Sequence, residues 1–217
     1  MKIPLVYPKI PSPENCLLKT CSAWEKIDGT NIHFVYEPDL GWYAFGTRRD
    51  RFDLDDKGIS EFNIAHPGLE EASDIFLRVY KDVINNPPHE VILFFEFSGE
   101  NSFAGLHKKE DKKRLTLIDA MIKGRILNPR EFMNAFYTYE HPDPIIDDEY
   151  FLPNLIYSGK YNGQFIEDVR NGKYSVNEGV VCKGVVDDKV VMTKIKTNFY
   201  MQKLKNHFGN DWENYWE

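Results

Sequence analysis

Apolar and polar positions alternate or cluster in short runs along much of the chain. "NIHFVYE" (31–37), "GWYAFGT" (41–47), "EVILFFEFSG" (90–99), "RLTLIDAMI" (114–122), "EGVVCKGVV" (178–186) and "KVVMTKIK" (189–196) are rich in β-branched and aromatic residues. Each is bounded by Gly, Pro or Asp, the pattern of strands. The last two runs meet through Asp187-Asp188, which predicts a hairpin. A helical period governs "PGLEEASDIFLRVYKDVINN" (67–86), where Leu69, Ala72, Ile75, Phe76, Val79 and Val83 share one face before Asn-Asn-Pro-Pro closes the segment. "NPREFMNAFYTYE" (128–140) predicts a second helix with Asn128 as N-cap and Pro129 in its first turn. "IEDVRNGKY" (166–174) predicts a short third, ending at Gly172. Strands outnumber helices and neighbours can pair as hairpins, so the pattern predicts an α+β fold of mainly antiparallel sheets flanked by helices.

Composition narrows the class. At 217 residues and 42% hydrophobic content, the chain fits one domain spanning 1–217 with a sizeable core. It shows no repeats, low-complexity segments or Gly/Ser-rich linker. No apolar run reaches about 18 residues, and Pro4, Pro8, Pro11 and Pro13 break the N-terminal stretch, which predicts a cytoplasmic protein without signal peptide or membrane partner. Cys16, Cys21 and Cys182 lack CxxC or His-paired spacing and read as thiols. The six histidines show no metal-ligand spacing. Asp147-Asp148-Glu149 reads as a solvated acidic loop, and "HFGNDWENYWE" as a C-terminal segment anchored by its aromatics.

A formal charge of −7 argues against whole-molecule attraction to nucleic acid, so any polyanion must be met by local patches. The clearest are "RRDR" (48–51) and "HKKEDKKR" (107–114). Lys108, Lys109, Lys112, Lys113 and Arg114 are the expected path for such a partner.

The chemistry concentrates around "WEKIDGTNIHF" (24–34). Alone, Lys26-Ile27-Asp28-Gly29 reads as a hairpin turn between apolar runs. After it, in chain order, come "GTRR" (46–49), "FFEFSGENSFAG" (94–105), "LTLIDA" (115–120), "EGVVCK" (178–183) and "KIK" (194–196). Each lies on or at the end of a predicted strand. The ordered set KxDG, a Glu-bearing strand, EGxVxK and KxK resembles the covalent nucleotidyltransferases, the superfamily of ATP- or NAD-dependent polynucleotide ligases and mRNA capping enzymes. With Asn31 two residues beyond the glycine, Glu25 before the lysine, and Glu96-x-x-Gly99, the chain is most similar to the RNA ligase 2 family found in phages, with relatives in RNA editing and repair. The likeness runs from Trp24 to Lys196.

That resemblance implies an ATP-grasp-like ligase catalytic domain and a definite reaction. Lys26 attacks the α-phosphorus of ATP, pyrophosphate leaves, and the lysyl-AMP passes its AMP to a 5′-phosphate, which a 3′-hydroxyl then displaces. A lysine with a pKa near 10.4 is a poor nucleophile at neutral pH. Lys194 and Lys196 would depress it by like charge and neutralise the α-phosphate, and K-x-K spacing puts both on one strand face. Glu178 is the implied carboxylate for Mg2+ (or Mn2+). The resemblance places Glu25 at the adenine edge, Glu96 on the ribose hydroxyls, Arg48 or Arg49 on the ribose or phosphate, and Ile27 and Asn31 among the nucleotide-binding positions. "RLTLIDA" departs from the family, offering Leu115, Leu117 and Ile118 where an aromatic usually stacks on the adenine. Either an aliphatic side chain or an aromatic from elsewhere closes the base pocket.

The expected partner is RNA with 5′-phosphate and 3′-hydroxyl ends, in the cytoplasm, or the host cytoplasm for a phage-encoded chain. Neither an OB-fold nor a helical C-terminal domain is expected, so a separate nucleic-acid-binding partner is a possible accessory. Alternatives are a small DNA ligase or guanylyltransferase using the same lysine, and a non-catalytic nucleotide or RNA-end binding module.

Overall fold

The structure, a computed structural model, describes residues 6–84, 86–100, 110–139 and 149–214. Packing divides the chain into two compact units, both discontinuous in sequence. One holds the described part of Met1–Pro8 with Gly29–Leu152, the other Lys9–Asp28 with Pro153–Glu217. Interleaved segments of this kind leave no linker to read in the sequence. Both units are built on antiparallel sheets, the α+β architecture expected from the strand runs.

The smaller sheet contains β1 (Thr20–Lys26), which precedes the Ile27–Gly29 connection and lies outside the strand-like runs quoted above. The larger sheet is assembled from β2 (Thr30–Glu37), β3 (Gly41–Thr47), β4 (Phe52–Asp53), β5 (Val91–Ser98), β6 (Arg114–Ile122) and β7 (Arg125–Ile126), in the order β4-β3-β2-β5-β6-β7. β2 pairs with β3 and β5 and never with β1, so Ile27–Gly29 joins two different sheets and is not a hairpin turn. Gly29 is required by packing: a Cβ there would lie 2.3 Å from the Phe97 carbonyl oxygen on β5.

Both faces of β2 are covered. Ile32, Phe34 and Tyr36 enter an aromatic core in which Phe34 stacks on Phe76 at 3.7 Å between ring centroids and meets Phe95 edge-on at 5.6 Å. The alternate positions carry the polar Asn31 and His33, and this face is taken up below. Helix α1 (Asp56–Ala65) starts where the Asp55 carboxylate accepts from the Gly58 N–H at 2.7 Å, and it buries Phe62 against Phe45.

The helix expected over 67–86 is shorter and irregular. It is α-helical only over α2 (Glu71–Ile75), then opens into a π-helical turn, Phe76–Tyr80, closed by Lys81 N–H on the Phe76 carbonyl at 3.1 Å. Tertiary contacts account for the change. Tyr80 is fully buried, its hydroxyl donating to the Leu115 carbonyl and accepting from the Phe151 N–H at 2.9 Å. Helix α3 (Pro129–Phe136) begins as expected, with a reciprocal capping box between Asn128 and Glu131.

The second unit adds β8 (Leu155–Lys160), α4 (Gly163–Arg170), β9 (Gly179–Val186), β10 (Lys189–Lys196) and α5 (Asn198–Phe208), with strand order β10-β9-β1-β8. The β9–β10 hairpin forms as predicted, and both turn residues, Asp187 and Asp188, have positive φ, as a two-residue turn of this hand needs. Cys21, Ala23, Val180, Cys182 and Ile195 from one sheet face form a core with Phe165 and Val169 of α4. All three cysteines are free thiols, and Cys21 and Cys182 are buried. Among the described residues no helix is long and apolar enough to cross a membrane.

Candidate active site

Strand register builds the lysine cluster. Lys26 on β1, Gly179 on β9 and Lys196 on β10 lie in one row across three adjacent strands. Directly opposed residues share a sheet face, so the two lysines project from the same side with no side chain between them. Lys194 follows on that face in the next row, opposite Val181, and Lys183 in the row beyond, opposite Ser22 and Met192. The opposite face is the apolar core, and this two-sidedness aims the lysines away from it.

Glu178, immediately before β9, closes the cluster. Its carboxylate is 2.9 and 3.0 Å from Lys26 Nζ and 3.3 Å from Lys196 Nζ, and its side chain is only 3% exposed. One buried anion therefore serves two cations. Burial pushes the Lys196 ammonium below its usual value and Lys26 adds a like charge, while Glu178 opposes both. Lys26 keeps 22% of its side chain exposed against 9% for Lys196, so it is the more accessible amine.

Two neighbours escaped the sequence reading. The Tyr200 hydroxyl donates to Asp28 Oδ1 at 3.1 Å, and its ring lies 5.2 Å from Lys196 Nζ. Thr197 sets Tyr200 in place by accepting from its N–H at 3.1 Å as the α5 N-cap. Threonine after KxK was a legible helix start; nothing marked Tyr200 itself. Beside Lys26, Glu25 accepts from Asn154 Nδ2 at 2.9 Å, and Ile27 is half-buried in the connection to β2.

In the six-stranded sheet, Asn31, Glu96 and Thr116 form a polar row across β2, β5 and β6. Asn31 Nδ2 donates to the Phe95 carbonyl at 3.1 Å, while its buried Oδ1 has no partner. Arg48 is half-buried and Arg49 exposed. The Arg48 charge is felt by Tyr7, whose hydroxyl donates to Asp119 at 3.1 Å and whose ring lies 4.7 Å from Phe94. Burial, Asp119 and Glu96 nevertheless raise the Tyr7 phenol well above its usual value. Among the aliphatic candidates for the base pocket, Leu115 and Leu117 are wholly buried, whereas Ile118, at a bulge in the β5–β6 register, is half-exposed.

His33 shares this face, wholly buried, with neither ring nitrogen in hydrogen-bond geometry. Burial, reinforced by Arg51, lowers its pKa to about 4, against smaller opposing effects of Thr47, Asp50 and Gly46. The folded state thus disfavours imidazolium, so stability is full above about pH 6.5 and falls as the unfolded chain takes up the proton, with about 3 kcal/mol lost by pH 4. Denaturant titrations at pH 7 and pH 4.5 should show this loss, and His33→Leu should show markedly less; equal acid sensitivity in both would assign it elsewhere.

The basic run at 107–114 is only partly described. Lys113 pairs with Glu71 at 3.3 Å and donates to the Gly68 carbonyl at 3.2 Å, and Arg114 lies over Phe151. Lys108, Lys109, His107 and His141 lie outside the described residues, as do Asp147 and Asp148, whereas Glu149 holds Arg78 through two 2.7 Å contacts. No three His, Cys, Asp or Glu side chains among the described residues converge to hold a metal ion. A hard cation carried by phosphates needs only one or two protein carboxylates, and Glu178 at the lysine cluster fits that need.

No family model matches the chain, and no curated protein matches it in sequence. Solved structures do. A point mutant of Naegleria gruberi RNA ligase with ATP and Mn is 16% identical, with a TM-score of 0.64 over 95% of this chain and 62% of that one. The Naegleria gruberi RNA ligase with PPi gives 0.62 at 16% identity over 94% and 60%, and another mutant with AMP and Mn gives 0.55 at 16% over 92% and 60%. This chain spans less than two thirds of the ligase chains it matches. At that identity the likeness speaks to architecture, and the chain shares the α+β fold of these RNA ligase structures.

Proposed function

We propose that the chain is an ATP-dependent RNA ligase acting through a lysyl-AMP intermediate. The observation that carries this reading is the convergence of Lys26 and Lys196 on the single buried carboxylate of Glu178, in a chain with the fold of RNA ligase structures. Lys26 Nζ is the nucleophile. It attacks the α-phosphorus of ATP, the bond to the β-phosphate oxygen breaks, and pyrophosphate departs with that electron pair. The 5′-phosphate oxygen of an RNA then displaces Lys26 from the AMP, and a 3′-hydroxyl finally displaces AMP to form the phosphodiester.

The cluster supplies what each step needs. Held between two ammonium groups, Glu178 is the counter-charge of both; it would also be the carboxylate to hold a metal ion that accompanies the nucleotide, and so engaged it would leave Lys26 and Lys196 facing each other. Like-charge proximity then favours the neutral Lys26 amine. Lys196 and Lys194 meet charge developing on the α-phosphate, and Asp28, held by Tyr200, fixes the segment after the nucleophile. A bound Mg2+ or Mn2+ would screen the triphosphate, with Glu178 as its protein ligand. Asn31, Arg48 and Glu96 are the proposed nucleoside contacts, Arg48 in preference to the exposed Arg49, and Glu25 and Ile27 complete the set. The unpartnered Asn31 Oδ1 is consistent with such a ligand.

Intact-protein mass spectrometry after incubation with ATP and Mg2+ or Mn2+ tests the reading. The expected result is a gain of one AMP, mapped to the peptide bearing Lys26, with GTP giving little. No gain in folded protein freed of preloaded AMP would sink it; a gain from GTP alone would make it a guanylyltransferase.

A further inference from the structure

The second unit has a cleft of about 280 Å3 beside the lysine cluster, between the Pro13–Asn15 turn, the end of α4, the edge strand β10 and α5. Arg170, Lys194, Lys196 and Lys205 line it against one carboxylate, Glu14. On a chain of net charge −7 this is a local reversal of sign, and a concave wall focuses the field of its charges. Arg170 is partly offset, lying 3.8 Å from Glu14 and 3.3 Å from Glu167 on the exposed end of α4, but four cationic side chains line the cleft against the one carboxylate.

We propose that this cleft carries the phosphodiester backbone of the RNA strand. The identity of the anion rests on the ligase reading above; the cleft and its charge do not. Length favours a strand over a single small anion. Asn198 and Lys205, both lining the cleft, are seven residues apart on α5, about 10 Å of helix, over which a nucleic-acid strand presents two or three phosphates. Continuity favours it as well. Lys196 lines the cleft and also reaches Glu178 beside Lys26, so a strand lying there ends at the proposed nucleophile. In the run at 107–114, the other basic surface, Lys113 is held by Glu71 and the Gly68 carbonyl.

The test uses the full chain, a fluorescein-labelled 5′-phosphorylated RNA and anisotropy over a series of salt concentrations. The Arg170→Ala, Lys205→Ala double variant should lose roughly tenfold in RNA affinity and flatten the salt dependence by about 0.7 per lost phosphate contact. Its AMP adduct from ATP should form at parental ATP concentrations, and Lys112→Glu should bind RNA within about twofold of the parent. Unchanged RNA affinity in the double variant overturns the proposal, as does a parent that binds no RNA. Unchanged RNA affinity with a raised ATP requirement would assign the cleft to the nucleotide's own phosphates. A parent that binds RNA through this cleft but forms no AMP adduct would uphold the surface and defeat the ligase mechanism, so the two failures are distinguishable.

Discussion

Lys26→Ala should form no AMP adduct, a fall on the order of a thousandfold or more relative to the parent. The geometry makes this a sharp expectation. Of the two amines at Glu178, Lys196 is the more buried, beside the Tyr200 ring, while Lys26 holds the more exposed place at the end of β1. Alanine leaves Glu178 paired with Lys196, so the buried anion is not orphaned and the fold should survive. Lys26→Arg separates charge from nucleophilicity. It restores a cation beside Glu178, yet guanidinium stays protonated and cannot attack, so this variant should melt close to the parent and also carry no AMP. An adduct of the same mass on the alanine variant would mean that another side chain is the nucleophile.

The α+β class of antiparallel sheets was legible in the strand runs. Lys26, Glu178 and Lys196 were singled out as a candidate set by short motifs in fixed order, and the structure brings their side chains together. Their meeting point was not legible, because it depends on pairings between residues 20–26 and 179–196 that no local pattern encodes. The same distance hid the extent of β1, whose small and polar residues are ordered by pairing with β8 and β9. By contrast, the Asp187-Asp188 hairpin and the Asn128 cap are local devices and were read correctly. The two arginines after β3 are identical in sequence terms, and only burial tells Arg48 from Arg49. Leu115 and Leu117, two apart on β6, are both buried as alternation predicts, whereas the bulge after Leu117 that leaves Ile118 half-exposed has no mark in the sequence.

Gly179→Ala should act on both stability and chemistry, because this residue occupies the centre of the row from Lys26 to Lys196. Its φ of +149° is one that side chains resist, and an added Cβ would lie 2.0 Å from the Ile195 carbonyl oxygen and 2.8 Å from Lys196 Cα. Those are backbone atoms of β10, which cannot swing aside as a side chain could. Either β10 separates from β9 at its end or the residue turns, and both carry Glu178 away from the two ammonium groups. Strain and overpacking together should cost about 2–4 kcal/mol, readable as a lowered denaturant midpoint, and adduct formation should drop by at least about a hundredfold even where the protein remains folded. Val181→Ala, one row away on the same face, removes methyl groups without forcing any backbone apart and supplies the comparison. It should cost about 1 kcal/mol and keep most of the adduct. A Gly179→Ala protein as stable and as readily adenylated as the parent would show that the row does not hold the cluster together, and would move the explanation for the glycine of EGxVxK away from packing between β9 and β10.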